Sequence, residues 1–224
     1  MTAHNLSKEI NLTGNGQLHK ALLKFLLLVI FIVTYPSITL SAGFNSVYSA
    51  DGNFVIAVGN NGNIFRSYDG GSGFSYTPQG GADMNSVFCI NSKVWIACDS
   101  GKILISTNYG YTFNSYYHGM QEHRSVFFYD ENTGWLVGNN GTIAKTTDGG
   151  LSWNSQTSPV NSHLCSVRFI TLSIGVACGD GGKIIQTTNG GTTWTEYQIP
   201  TTENLMSIDM KGNNIIATGE KGFI

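Results

Sequence analysis

One phrase returns four times along this chain. It reads SYDGGSGF at 67–74, STNYGYTF at 106–113, TTDGGLSW at 146–153 and TTNGGTTW at 187–194. The shared form is Ser or Thr, any residue, Asp or Asn, any residue, Gly, two residues, then an aromatic. The closing aromatics Phe74, Phe113, Trp153 and Trp194 are separated by 39, 40 and 41 residues. A steady period of this size requires one supersecondary unit built again and again, each copy stacking on the last.

The remainder of each unit repeats as well. FNSVYS (44–49), MNSVFC (84–89), RSVFFY (124–129) and LCSVRF (164–169) open the units. Apolar runs FVIAVG, VWIACD, GWLVGN and IGVACG follow, then NNGNIF, DSGKIL, NNGTIA and DGGKII lead into the repeated phrase. Turn formers that tolerate positive φ separate these runs. Each unit therefore holds four short strands in about 40 residues, the layout of a propeller blade. A β-sandwich would not impose so regular a period. The predicted fold is an all-β propeller of four-stranded antiparallel blades, with four full units and a partial fifth. The units run at about 44–83, 84–123, 124–163 and 164–204, with the partial one at 205–224.

Within the phrase, Asp69, Asn108, Asp148 and Asn189 are expected to accept backbone N–H bonds and fix the hairpin. Gly71, Gly110, Gly150 and Gly191 permit the tight return, and Phe74, Phe113, Trp153 and Trp194 carry a large ring into the packing of the blade. These residues are read as builders of the fold.

Residues 1–43 differ in kind. Lys20 and Lys24 precede an apolar run, and Phe25 to Val33 carry no polar side chain. This reads as an export signal or membrane anchor, with membrane association through residues 20–35. The expected location is exported or membrane-associated, extracytoplasmic or thylakoid-lumen-like. A net charge of −2 with 12% charged residues provides no basic stripe for nucleic acid. Cys89, Cys98, Cys165 and Cys178 form no CxxC, so buried free thiols are favoured over two local disulfides or a metal site.

The repeated phrase resembles the Asp box. GWLVGNNGTIAKTTDGGLSW (134–153) and IGVACGDGGKIIQTTNGGTTW (174–194) further resemble the photosystem II stability/assembly factor family, and VIAVGNNGNIFRSYDGG (55–71) is a looser match. The resemblance covers residues 44–224. It implies a non-catalytic, exported scaffold whose partner is a protein, a membrane protein or its assembly intermediate, with no cofactor. Family members bear arginines just before the Asp-box turn, helping to form a basic patch. Arg66 and Lys145 match that position here, whereas Ile105 and Gln186 fill it in the other two units. That family's propellers have more blades, so the chain is expected to be either a fragment or a small propeller that closes unusually or pairs with another copy.

Asp-box propellers also include sialidases, so a sialidase-like or other glycoside hydrolase is the alternative. Its candidates would be Arg66, Arg124 and Arg168 with acids such as Glu122, Glu196 and Asp180. The arginines occupy different places in their units, and are read instead as surface or edge charges. The glycine turns lack the GK[ST] of a phosphate loop. His118, Glu122 and His123 form a conceivable metal trio, but a solvated linker is the favoured reading. No catalytic, cofactor or metal residue is assigned. Arg66, Arg124, Lys145, Tyr116 and Tyr117 are the residues assigned to a partner-binding face.

Overall fold

The computed structural model describes residues 43–212 and 214–222. The leader and its apolar run at 20–35 lie outside the described residues. Among the described residues, no helix is long and apolar enough to cross a membrane.

The fold is a series of antiparallel meanders. The first is β1 (Phe44–Ser49), β2 (Val55–Gly59), β3 (Ile64–Ser67) and β4 (Ser75–Tyr76). The second is β5 (Met84–Ile90), β6 (Lys93–Cys98), β7 (Lys102–Ser106) and β8 (Asn114–Tyr117). The third is β9 (His123–Phe128), β10 (Gly134–Gly138), β11 (Ile143–Thr146) and β12 (Asn154–Ser155). The fourth is β13 (Leu164–Phe169), β14 (Gly175–Gly179), β15 (Lys183–Thr187) and β16 (Thr195–Tyr197). β17 (Leu205–Lys211) and β18 (Asn214–Gly219) form a fifth, two-stranded sheet. The architecture is therefore all-β: four four-stranded blades and part of another.

The blades do not bury separate cores. Each apolar cluster is shared by two neighbours. Phe54, Ile56, Val58 and Ile64 of the first blade join Met84, Val87, Ile96 and Leu104 of the second. Trp95 and Ile103 of the second meet Val126, Phe128 and Leu136 of the third. Trp135 and Ile143 of the third meet Leu164, Val167 and Phe169 of the fourth. The fourth continues into Leu205 and Ile208 of the fifth sheet. Both faces of an inner strand are thus covered, which is why these strands read as continuous apolar runs rather than clean alternation.

Stacked rings mark the joints. Phe128 lies flat on Trp95, with centroids 3.8 Å apart at 14°. Phe169 repeats the arrangement on Trp135 at 3.6 Å and 12°. The Asp-box aromatics belong to the same joints. Trp194 lies within the cluster of blades three and four, Trp153 packs on that of two and three, and Phe113 on that of one and two. The expectation that these rings fill their own blade is thereby refined, for they seal the boundary with the preceding one.

Polar bonds repeat at the joints too. In three of the four SV pairs the serine accepts the backbone N–H of the valine in the next unit. Val87 N donates to Ser46 Oγ at 3.2 Å, Val126 N to Ser86 Oγ at 3.3 Å and Val167 N to Ser125 Oγ at 3.4 Å. These hydroxyls satisfy donors that would otherwise be orphaned where one inner strand faces another.

All four cysteines are free, and Cys89, Cys98 and Cys178 are buried. Burial pushes the thiols of Cys89 and Cys98 up to about 12, so they behave as small apolar side chains.

Truncating a joint should cost more than truncating a turn. Trp135 is fully buried. Trp135→Ala is expected to lose about 3–5 kcal/mol in urea unfolding, the range for large aromatics removed from a core.

Candidate functional site

Each Asp box is a closed ring of hydrogen bonds with a hydroxyl at its hub. In the third, Thr146 Oγ1 accepts Gly150 N at 2.9 Å and donates to Asp148 Oδ1 at 2.8 Å, while Asp148 Oδ1 accepts Ser152 N at 2.9 Å. The first box repeats this through Ser67, Asp69, Gly71 and Gly73. Ser106, Asn108, Gly110 and Thr112 repeat it in the second, and Thr187, Asn189, Gly191 and Thr193 in the fourth. Donation by the Ser152 hydroxyl and N–H, with help from Thr146, holds the Asp148 carboxyl down to about 2. These side chains are spent on the turn and offer nothing to a substrate.

The box also reaches across the joint. Trp95 Nε1 donates to Gly149 O at 2.8 Å, and Trp135 Nε1 to Gly190 O at 3.3 Å. The residue just before three of the four boxes does the same by packing. Ideal Cβ atoms built on Gly110, Gly150 and Gly190 would lie 3.2, 2.9 and 3.0 Å from Arg66 Cδ, Ile105 Cδ1 and Lys145 Nζ. The variable position of the sequence repeat is therefore an inter-blade position.

This changes the reading of Arg66. It is 5% exposed, not a surface or edge charge. Its Nη2 donates to Thr77 Oγ1 at 2.7 Å and its guanidinium lies 4.3 Å from the centroid of the Tyr111 ring. Tyr111 in turn stacks on Tyr68 with planes at 15°, and Tyr68 meets Tyr109 edge-on. Tyr109 adopts φ 56°, where the other three boxes place Gly70, Gly149 and Gly190. A bulky residue in that left-handed region is strained. The joint of blades one and two thus presents three exposed tyrosines around a buried arginine.

Lys145 occupies the corresponding place at the joint of blades three and four. Its ammonium lies 5.0 Å from the Trp135 ring centroid. Among the described residues no carboxylate pairs with it. A groove of about 300 Å³ opens beside it, lined also by Asn154, Gln156, Thr157, Gly191 and Thr192.

Arg124 stands apart, near the start of the innermost strand β9. Its Nε donates to Asn139 Oδ1 at 2.6 Å, with Glu122 at 3.5 Å and Cys165 Sγ beside it. Tyr117 is 67% exposed on the outer strand β8, and its neighbour Tyr116 packs partly into the cluster of blades two and three. The five residues assigned to a partner face are therefore distributed over different joints and edges.

The inner strands carry residues that the repeat alone did not single out. Tyr48, Phe88, Phe127, Arg168 and Asp209 share one place, following the SV or SI pair. Tyr48 contacts Phe88, Phe88 contacts Phe127, and the Arg168 guanidinium lies 5.9 Å from the Phe127 centroid. Their signal is the letter after the SV or SI pair in each opening run, Y, F, F, R and D.

Of the acids considered for hydrolysis, Glu196 is held below its ordinary range by Lys183, whose Nζ donates to it at 2.6 Å. A general acid needs the opposite shift. Glu122 pairs with Arg124, and Asp180 accepts from Cys165 at 3.6 Å. Among the described residues, no cluster of three or more His, Cys, Asp or Glu side chains is placed to hold a metal ion.

Comparison with known proteins agrees with this architecture. A family model described as photosynthesis system II assembly factor YCF48 matches residues 120–175, the third blade and the start of the fourth. The structure of YCF48 bound to D1 peptide superposes with a TM-score of 0.66 at 18% identity, covering 80% of this chain and 61% of that one. YCF48 from Cyanidioschyzon merolae gives 0.67 at 17%, covering 83% and 66%. An ancestral GH74 enzyme gives 0.66 at 15%, covering 80% of this chain and 29% of the enzyme. The chain spans less than two thirds of the length of either YCF48 structure. No curated protein matches its sequence. The chain is thus an Asp-box β-propeller protein, similar over part of its length to the photosystem II assembly factor YCF48.

Proposed function

We propose that this chain is a non-catalytic scaffold that binds a segment of a protein partner, in a role like that of a photosystem II assembly factor. The observation that carries this reading is the family match over residues 120–175, which contains Lys145 and Arg124. The partner is a membrane protein or its assembly intermediate, and the working location is extracytoplasmic, reached through the apolar leader. One of the similar structures has a D1 peptide bound.

Lys145 is the first contact in this reading. It is a half-buried ammonium without a carboxylate partner among the described residues, set in a groove of amides and hydroxyls. Such a groove favours a peptide carrying a carboxylate, since desolvated charges attract more strongly than exposed ones. Arg66 contributes indirectly, by holding Tyr111 and Tyr68 in place. Those tyrosines, with Tyr109, add rigid amphipathic surface of the kind enriched at interfaces. Arg124 and Tyr117 extend the contact to other parts of the molecule.

Fluorescence anisotropy with a labelled D1 peptide tests the proposal. Saturable micromolar binding is expected, weakened about tenfold or more by Lys145→Glu, in line with losing one charge-assisted contact. Absence of binding by the folded wild-type protein would remove the proposal's support. Undiminished binding by the variant would move the site away from this groove.

The Asp box supplies a control that should leave binding untouched. Asp148→Asn keeps the oxygen that accepts Ser152 N, as Asn108 and Asn189 do naturally. Asp148→Ala loses it and should cost about 1 kcal/mol in urea unfolding, with the Asn variant closer to wild type. The advantage of Asp over Asn comes from a depressed carboxyl. It is full above the unfolded value near 3.8 and disappears as pH falls toward about 2.

A further inference from the structure

His123 opens β9 at a place where the other units have Phe44, Met84, Leu164 and Leu205. Its side chain is 0% exposed, and neither ring nitrogen makes a well-formed hydrogen bond, although the backbone carbonyls of His118 and Gly101 lie close enough to favour its charged form. The backbone is fully employed. His123 is in register with Gly138, and its carbonyl accepts Asn85 Nδ2 at 3.0 Å. The strand therefore fixes the ring where its polar atoms make no well-formed hydrogen bond. Packing alone does not ask for histidine here, because four units fill the place with apolar side chains. A buried imidazole without well-formed hydrogen bonds costs stability relative to those.

A second histidine stands beside it. The His118 ring is centred 5.8 Å from that of His123. His118 Nε2 lies 3.0 Å from Ser155 Oγ of the third blade, and its Nδ1 is also buried without a partner. His118 follows the outer strand of blade two, so the pair spans the connection 118–122 between two blades. The charged groups around it are engaged elsewhere. Glu122 and Arg124 flank His123 in the chain but pair with each other and with Asn139. Asp99 of blade two accepts from Asn85. Among the described residues, no carboxylate forms an ion pair with either imidazole.

We propose that His118 and His123 form an acid-operated joint between blades two and three. At neutral pH both rings are uncharged and the joint is packed. On acidification two imidazolium ions would face each other in a confined space, with the carbonyls of His118 and Gly101 but no paired carboxylate to offset them. The connection 118–122 and the start of β9 then open to bring water to the rings, and the bonds of Arg124 to Asn139 and Glu122 open with them. Burial, with the adjacent His118, pushes His123 down to about 4 against a smaller opposing pull from the carbonyls of His118 and Gly101, and burial lowers His118 as well. The unfolded chain therefore takes up protons first. The stability held by the neutral rings is full above about 6.5 and is lost as pH falls toward 4.

Urea unfolding of wild type and His123→Leu at pH 7 and pH 4.5 tests this joint. From a folded value of about 4 and an unfolded value of about 6.5, the wild-type folding equilibrium should fall about 60-fold more than that of the variant. An equal fall in both proteins would overturn the proposal. Should His123→Leu fail to fold, ring titration of the native wild-type protein by NMR decides the matter. A His123 midpoint well below 6 supports the joint, and an ordinary midpoint near 6.5 overturns it. Amide-exchange protection at 118–124 should decrease over the same acid range, after correction for intrinsic exchange. Unchanged protection there would also count against it.

Discussion

No blade of this protein can be stable alone, because its apolar face is only half of a core. A four-stranded sheet of such short strands buries little by itself. The core appears only when Phe128 covers Trp95, or Phe169 covers Trp135, across a boundary between units. Every other regularity follows from that constraint. The tryptophan must reach the next unit, so its indole N–H finds an acceptor there, in the Asp box. The box must keep one shape for the indole to meet it, so its hydroxyl hub and Asx side chain recur in all four full blades.

This arrangement explains where variation is tolerated. At its hydroxyl hub and its Asx position the box admits only Ser for Thr and Asp for Asn. The residue before it varies from Arg66 to Ile105 to Lys145 to Gln186. Three of these touch the next unit through side chains of quite different character. A joint can be dry, as at Ile105, or carry a buried cation ringed by tyrosines, as at Arg66. It can also open into a cationic groove, as at Lys145. One scaffold thus offers several chemically distinct clefts, and the family match falls on the third blade, which bears Lys145.

The sequence made the repeat, the strands and the turn chemistry legible because all of these are local. Glycine and Asx spacing act within eight residues, the hydrogen bonds of the box stay within that span, and the period shows itself by simple recurrence of that local phrase. What it hid was separated by a whole unit or more. Nothing near Trp95 in the chain announces Gly149, and nothing near Ser86 announces Val126. Arg66 packs against Tyr111 from the next unit, so a reading from its place within its own unit makes it a surface or edge charge. His123 was visible in principle. An opening run written from Arg124 leaves it out, whereas aligning on Phe44, Met84, Leu164 and Leu205 shows a histidine in an apolar column.

The serine contacts have an evolutionary corollary. Ser46, Ser86 and Ser125 each accept from the unit that follows, while Val87, Val126 and Val167 donate to the unit before. The second and third units each have a socket on one side and a plug on the other, and both are standard. Such head-to-tail contacts are heterologous, so the geometry of one joint does not depend on how many others exist. Duplication or loss of a whole unit preserves the surviving connectors, whereas an insertion of a few residues inside a strand puts plug and socket out of register. Genes encoding this architecture can therefore change length in steps of about 40 residues, and each new step inherits a ready-made cleft whose lining is free to diverge.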